Sequence, residues 1–130
     1  DNLKQTKSFT VSVGTASMVE ACDYVGIVSG NKIPDKVSRA GLHAIKSKYV
    51  NAPIFKELPL ALECEVISFD EKSEILTGKI INVSADEEIL TDGNIDVKKL
   101  RPITYDPVNH YYIEFGNIVG KAFEVGKKFN

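Results

Sequence analysis

The chain has 130 residues, of which 43% are hydrophobic and 26% are charged, as in an ordinary globular protein. This length favours a single domain over residues 1–130. Sixteen basic residues stand against eighteen acidic ones, and the net charge of -2 argues against a nucleic-acid partner, because phosphate binding needs a basic face. No apolar run is long enough to span a bilayer, so we expect no membrane partner.

The two cysteines, Cys22 and Cys64, lie far apart, with no CxxC motif and no neighbouring pair of histidines. This spacing favours neither a disulfide framework nor a metal site. We interpret both as small buried apolar residues in a reducing cytoplasm.

The first third of the chain predicts a strand, a helix and a basic turn. Side chains alternate between apolar and polar over residues 8–13, which is the period of a half-buried strand. From Met18 the apolar residues follow a helical pattern, and we expect this helix to end near Ser29 and Gly30, with Gly30 as its left-handed cap. A short helix over residues 35–40 follows the turn.

The rest of the chain is mainly strand-like. Strands are predicted over residues 43–50, 61–69, 74–83 and 110–115, and the turn at 70–73 joins the second and third as an antiparallel hairpin. We expect a short helical turn over residues 96–100 and a C-terminal tail whose Val119, Phe123 and Val125 pack against the body of the protein. Short strands with few helices between them predict a mainly β protein with peripheral helices, either an antiparallel barrel or a sandwich.

One part of this slightly acidic chain is strongly basic. Five basic residues and a single acidic one, Asp35, lie between Asn31 and Lys48; the basic residues are Lys32, Lys36, Arg39, Lys46 and Lys48. Such an excess beside a Ser-Gly turn and a helix start suits a phosphate group. A solvated surface loop is the alternative interpretation.

The catalytic residues are unknown from the sequence. His43 and His110 have no partner at metal-ligand spacing, so we interpret each as an ordinary surface or strand histidine. Neither a nucleophile elbow nor a GxGxxG motif is present. Glu63 and Glu65 alternate with apolar neighbours, which predicts that both lie on the solvent side of a strand rather than forming an acid-base pair.

Several segments, taken in order, carry a resemblance to a known family. ACDYVGIVSGNKIPDKVSRAGL, NAPIFKELPLALECEVIS, LTGKIINVSADEEIL, RPITYDP and VGKAF resemble the flavin reductase-like, FMN-binding split-barrel family, which includes flavoredoxins. The resemblance covers nearly the whole chain. It implies an antiparallel Greek-key split β-barrel that forms a homodimer, with FMN at or near the subunit boundary. Some members reduce free flavin with NADH or NADPH, and others keep FMN bound and pass its electrons onward.

The resemblance also implies site residues. Carried over position by position, Ser29, Gly30 and Lys36 lie near the cofactor, with Lys36 at its phosphate. Asn2 lies in a segment similar to the family's T-x-x-N-I helix end and is expected near the same group. Apart from the resemblance, Tyr105, Tyr111 and Tyr112 gather near the C-terminal end, where the flat face of one of them could line an isoalloxazine ring; packing in the core or at its rim is the favoured alternative for each.

The chain departs from the family pattern in two places. The chain opens with Asp1, and the family's N-terminal portion, with its early strands and a flavin-contacting loop, has no counterpart here, so we expect an N-terminally incomplete barrel. Ser73 stands in the hairpin where some members carry a histidine that is suggested to help with the nicotinamide.

These observations lead to one main hypothesis and two alternatives. We expect an FMN-binding oxidoreductase that moves electrons between NAD(P)H and a flavin or other acceptor, because the cofactor supplies the redox chemistry. The first alternative is an FMN-binding electron carrier without nicotinamide activity. The second is a non-catalytic barrel fragment that a partner completes.

Overall fold

Strands dominate the computed structural model, which describes residues 2–130. The strands are β1 (Ser8–Ser12), β2 (Ala44–Lys46), β3 (Pro53–Phe55), β4 (Leu60–Asp70), β5 (Ile75–Ala85), β6 (Leu90–Thr91), β7 (Asn94–Ile95), β8 (Ile103–Asp106) and β9 (Tyr111–Glu114). The helices are α1 (Asn2–Thr6), α2 (Val19–Ile27), α3 (Lys36–Arg39) and α4 (Val97–Leu100). The mainly β architecture with peripheral helices is therefore confirmed. No helix within residues 2–130 is long and apolar enough to cross a membrane.

The largest sheet has the order β1-β4-β5, and both pairings are antiparallel. The long strands β4 and β5 form the hairpin that the alternating sequence predicted, because Asp70 turns the chain by accepting a hydrogen bond from the backbone of Lys72. Irregular pairing interrupts this hairpin between Glu63 and Cys64 and again between Val66 and Ser68. Such bulges increase the twist of a sheet.

Three smaller antiparallel pairs surround this sheet: β2 with β3, β6 with β7, and β8 with β9. The β8–β9 pair is joined to the end of β1, because Ile103 N donates to Gly14 O over 3.1 Å and Thr15 forms an isolated bridge with Pro102. The pair therefore lies beside the segment that leads into α2.

The strand predicted over residues 43–50 is shorter than expected. It ends at Lys46, because Ser47 Oγ accepts hydrogen bonds from the backbone N–H groups of Tyr49 and Val50 and so forms a turn. The chain then pairs back as β3, which begins at Pro53. The sequence did not predict β3, although proline is tolerated at the first position of a strand.

The fully buried hydrophobic residues lie between positions 21 and 100; they are Ala21, Leu42, Val50, Ala61, Cys64, Ile89 and Leu100. Burial of Cys64 is thus confirmed, whereas Cys22 is only half-buried. Glu63 is also buried, with 1% of its surface exposed, so its predicted solvent position is wrong, whereas Glu65 is exposed. Glu63 is covered because the turn after β2 brings Ser47 onto the same face of the sheet.

The C-terminal tail contradicts its prediction. Val119 is 100% exposed and Phe123 is 96% exposed, and Val125 is exposed as well. The segment instead forms its own turns, in which the backbone N–H groups of Glu124 and Val125 donate to Lys121 O. Apolar composition predicted packing here, but these side chains stay open to solvent.

Candidate functional site

The turn between α2 and α3 is built around the side chain of Lys36. Lys36 Nζ donates hydrogen bonds to Val25 O over 2.6 Å and to Val28 O over 2.8 Å. The last carbonyl groups of a helix have no partner within the helix, and a cation at that end also compensates the helix dipole. Lys36 therefore fixes the end of α2.

This arrangement corrects the expected role of Gly30. α2 ends at Ile27, Val28 is extended with φ -109° and ψ 136°, and Gly30 is not among the residues with positive φ. The predicted left-handed glycine cap is wrong, because the ammonium group of Lys36 satisfies the helix carbonyls instead.

Ser29 and Gly30 lie next to Lys36 in this turn. Ser29 O accepts from the backbone of Lys32 and of Ile33, and Ser29 Oγ accepts from Asn31 N over 3.3 Å. A Cβ atom placed on Gly30 would lie 3.9 Å from Lys36 Cε. Three of the four expected cofactor residues thus form one tight turn.

Asn2 belongs to a different element. It is an exposed residue at the start of α1, where its carbonyl accepts a hydrogen bond from Thr6 Oγ1 over 3.0 Å. α1 packs against β1. Its assignment near the cofactor phosphate stays a prediction.

The positive charge of this region is only partly neutralised. Arg39 Nε contacts Asp35 Oδ2 over 2.9 Å, one helical turn apart. The hydrogen bond from Arg39 lowers the pKa of the Asp35 carboxyl, and the same contact raises the pKa of Arg39. Lys32 is exposed on the same turn and faces solvent.

An aromatic pair on the β8–β9 hairpin is tied to α2. The ring centroids of Tyr105 and Tyr112 lie 5.7 Å apart, at an interplanar angle of 50°. Tyr112 OH donates to Asp23 Oδ1 over 2.8 Å, and this hydrogen bond raises the pKa of Tyr112. Tyr105 OH forms a hydrogen bond with His110 Nδ1 over 2.6 Å. The same helix therefore carries the Lys36 turn at its end and the tyrosine pair on its side.

No local pattern in the sequence indicated the role of Asp23, since its partner lies 89 residues away. Tyr111, the third aromatic candidate, is 67% exposed and is not part of the Tyr105–Tyr112 pair. The structure thus brings together two of the three tyrosines that the sequence singled out.

A buried carboxylate lies in the middle of β4. Glu63 accepts hydrogen bonds from Ser47 Oγ (2.6 Å), Asn82 Nδ2 (2.6 Å) and Ser84 Oγ (2.7 Å). Burial alone favours the neutral acid, but the three donors outweigh it and hold the pKa of Glu63 below its ordinary value. All three partners are neutral, so we interpret this group as a structural anchor.

His43 has one partner that the sequence did not predict. Its backbone N–H donates to both carboxylate oxygens of Glu57, over 2.9 and 3.0 Å, and its Nδ1 contacts Glu57 Oε1. The His43 side chain is 76% exposed, which confirms the interpretation of this residue as a surface histidine.

An open cleft of about 480 Å³ lies between the β2–β3 hairpin and the ends of β4 and β5. Apolar residues line it, together with three consecutive acidic residues that we call its acidic rim. The apolar residues are Ile45, Ile54, Phe55, Leu58, Pro59 and Ala61, and the acidic residues are Asp86, Glu87 and Glu88.

Comparison with known proteins identifies the family of the chain. A family model described as flavin reductase like domain matches residues 1–111. The flavoredoxin of Desulfovibrio vulgaris (Miyazaki F) superposes with a TM-score of 0.89 at 34% identity, covering 96% of this chain and 68% of that one. Flavoredoxin from Methanosarcina acetivorans superposes with a TM-score of 0.88 at 29% identity, covering 98% of this chain and 68% of that one.

A curated relative from Aquifex aeolicus (strain VF5), an uncharacterized protein, is 26% identical over 121 residues. The match covers 88% of this chain and 60% of the relative, so the chain spans less than two thirds of that protein's length. The sequence match, the superpositions and the strand arrangement agree, and the chain belongs to the flavin reductase-like domain family, with the fold of its split-barrel members.

Proposed function

We propose that this chain binds FMN and works as a flavin-dependent oxidoreductase, moving electrons between NAD(P)H and a flavin or other acceptor. Family membership supports the flavin. The observation that carries the choice of FMN is the turn formed by Ser29, Gly30 and Lys36 at the end of α2, which concentrates donors suited to a terminal phosphate.

The donor set of this turn fits a phosphate group. A lysine ammonium has three N–H bonds, and two of those of Lys36 reach helix carbonyls, which leaves one donor for an anion. The hydroxyl of Ser29 accepts from Asn31 N and has its own proton to donate. Each charge-assisted hydrogen bond to a phosphate contributes about 1.5–3 kcal/mol.

In this proposal the protein binds and orients FMN, and the cofactor supplies the redox chemistry. Bound FMN would provide the ring that accepts a hydride or electrons. Ser29 and Lys36 hold the phosphate end, and the tilted pair of Tyr105 and Tyr112 offers aromatic ring faces beside the same helix. We assign no acid-base residue, since the carboxylate of Glu63 is buried and accepts hydrogen bonds from three neutral side chains of the fold.

The proposal is tested by the absorption spectrum of the purified chain after incubation with FMN and removal of free flavin. We expect flavin absorption to remain with the protein and NADH or NADPH to be consumed on addition. A colourless protein, and an unchanged spectrum of FMN in a titration, would contradict the proposal at its first step.

An electron carrier that binds FMN without nicotinamide activity is the second candidate. It is favoured by Ser73 in the β4–β5 turn. The resemblance implies that some family members carry a histidine at this position that helps with the nicotinamide, and this chain has a serine there instead. A carrier would stay yellow, would not oxidise NADH or NADPH, and would be reduced only by an external donor such as dithionite. Replacing Ser73 with histidine and measuring NADPH oxidation separates the two functions.

The assembly and the compartment belong to the same proposal. The family resemblance supports a homodimer, to be checked by analytical ultracentrifugation. Two cysteines without a disulfide suit a reducing compartment such as the cytoplasm.

A further inference from the structure

The C-terminal arm, which we define as residues 116–130, exposes more apolar surface than a surface segment normally does. Four of its side chains are at least 79% exposed: Ile118, Val119, Phe123 and Phe129. Burial of such side chains removes apolar surface from water, which favours association. Several large apolar side chains exposed within one short segment make it a candidate interaction surface.

The arm has an ordered backbone of its own. Lys121 and Glu124 form an ion pair of 2.8 Å, and the carbonyl of Lys121 accepts two backbone hydrogen bonds. Val125 folds back over Gly120, where an added Cβ would come within 2.6 Å of Val125 Cγ1. The arm therefore presents Phe123 and Val119 from a turn rather than from a featureless tail.

The charge of the arm is opposite to that of the cleft rim described above. The arm carries Lys121, Lys127 and Lys128 against Glu124 alone. The cleft is lined by apolar residues and by an acidic rim of Asp86, Glu87 and Glu88, with Lys56 as its one basic residue. Apolar side chains flanked by lysines are the natural complement of an apolar cleft flanked by carboxylates.

We infer that the C-terminal arm of one copy of the chain binds in the acidic-rimmed cleft of a second copy. Phe123 and Val119 enter the apolar part, and Lys127 and Lys128 pair with Glu87 and Glu88. The exchange is reciprocal, since each copy has one arm and one cleft, and the result is a closed two-fold pair. The inference rests on the proposed homodimer and names one of its contacts, but it uses neither the α2–α3 turn nor a flavin, so its failure would leave the proposed flavin binding untouched.

The experiment uses the lack of tryptophan in the chain. A reporter copy carries Phe123→Trp together with Glu87→Lys and Glu88→Lys, which disable its own cleft. Addition of excess wild-type chain, which contributes no tryptophan signal, should shift the reporter emission to the blue, because the indole leaves water for the apolar cleft. No shift on addition would overturn the inference.

Two controls distinguish the cleft from general association. An added copy that carries Glu87→Lys and Glu88→Lys should bind the reporter about tenfold or more weakly, whereas one with Glu20→Lys and Glu74→Lys, the same charge change elsewhere, should behave as wild type.

A charge-reversed arm tests the pairing directly. This reporter carries Phe123→Trp with Lys127→Glu and Lys128→Glu and keeps its own cleft unaltered, so it should pair poorly with itself. Addition of the chain with Glu87→Lys and Glu88→Lys should restore the blue shift, because the exchanged charges are again complementary. A failure to respond to that chain would contradict the assigned lysine–glutamate pairing.

A simpler reporter, which carries Phe123→Trp alone, distinguishes docking of the arm in its own copy from docking in a second copy. If its emission is blue-shifted while the reporter with the disabled cleft does not respond to added chain, the arm occupies the cleft of its own copy and the inference is wrong. Blue-shifted emission that moves to the red on dilution supports binding between copies. All reporters are checked by urea unfolding, so that a change in emission is assigned to docking in the folded protein.

Discussion

Ser47 Oγ donates a 2.6 Å hydrogen bond to Glu63 Oε1 and, through the same oxygen, accepts from the backbone N–H groups of Tyr49 and Val50. One hydroxyl therefore ties the turn after β2 to the centre of β4. Asn82 and Ser84 of β5 complete the shell of donors around the carboxylate. Three separate segments meet at this buried charge, so the fold depends on it more than on an ordinary strand residue.

Glu63→Gln should destabilise the protein by about 1–3 kcal/mol. The new amide places N–H bonds where Ser47, Asn82 and Ser84 also donate, so at least one buried donor loses its acceptor. Urea unfolding followed by circular dichroism measures the change. Glu65→Gln, two residues away on the same strand but exposed, is the matched control and should change stability by less than about 0.5 kcal/mol.

The same carboxylate should make stability depend on pH in the acid range. Against the effect of burial, its hydrogen bonds hold the pKa of Glu63 below the ordinary value of about 4.3 that it would have in the unfolded chain. The unfolded chain therefore binds the proton more readily, and the contribution of Glu63 to stability is complete above the unfolded pKa and is lost as the pH falls through the lower, folded pKa.

Urea midpoints between pH 7 and pH 3 test this dependence. The wild type should lose stability below about pH 4.3, and Glu63→Gln should lose less over the same interval, because it has no carboxylate to protonate. Equal losses in both proteins would assign the acid sensitivity to other carboxylates, such as Asp96, whose pKa is lowered mainly by its hydrogen bond from Thr91.

The sequence predicted those parts of the fold that depend on residues close together in the chain. The β4–β5 hairpin followed from two alternating runs and a short polar turn, and α2 followed from its helical spacing. Glu63 escaped prediction because alternation along a strand does not tell which face another segment covers. The charge of Glu63 predicted that its side of the strand faces solvent, whereas the turn at Ser47 covers that side.

The candidate site was predicted in composition but not in geometry. Basic residues beside a Ser-Gly turn pointed to the segment that contains Ser29 and Lys36, and these residues do lie together. That Lys36 reaches back to Val25, 11 positions earlier, depends on how the turn folds, and no local pattern encodes it. The link between Tyr112 and Asp23 spans 89 positions and is equally invisible in the sequence.

Lys36→Ala should weaken FMN binding by about 2 kcal/mol, roughly thirtyfold, if the remaining N–H of Lys36 reaches the phosphate. Because Lys36 also caps α2, a loss of FMN affinity alone would not identify the contact. Riboflavin, which lacks the phosphate, resolves this point. Fluorescence titrations should show a large loss for FMN and little change for riboflavin, whereas equal losses would make Lys36 a purely structural residue.

Lys79→Ala is the matched control for this titration. Lys79 is an exposed lysine of β5, where it lies opposite Glu65, and it belongs to neither the turn nor the tyrosine pair. Its removal lowers the net charge by the same amount and should leave both affinities unchanged. A similar loss of FMN affinity in Lys79→Ala would indicate a general charge effect, which added salt would also reduce.

Gly78→Ala should destabilise the main sheet by about 1–3 kcal/mol through overpacking. A Cβ atom at Gly78 would meet the ring of Phe9, with Cε1 at 2.6 Å, and would also lie 3.2 Å from Glu65 O. Phe9→Leu should relieve part of this clash, so the double variant should lose less stability than the two single variants lose together.

Gly26→Ala is the contrasting variant. Nothing lies within 4 Å of a Cβ atom added to Gly26 in α2, so this change should stabilise the protein by about 0.5–1 kcal/mol.

The Tyr112–Asp23 hydrogen bond should be visible in the titration of the phenol. Asp23 accepts from Tyr112 OH over 2.8 Å and thereby raises the pKa of Tyr112, because ionisation would remove the donated proton and place two negative charges together. In the Asp23→Asn variant the partner has no charge, so the pKa of Tyr112 should fall towards its ordinary value of about 10.

The titration is followed by the absorbance of ionised tyrosine as a function of pH. Subtracting the curve of the matching Tyr112→Phe protein isolates this group among the five tyrosines. A lower midpoint in Asp23→Asn, together with faster amide exchange in β9, would show that this bond holds the hairpin to α2. The same midpoint with and without the Asp23 carboxylate would mean that other contacts hold the hairpin there.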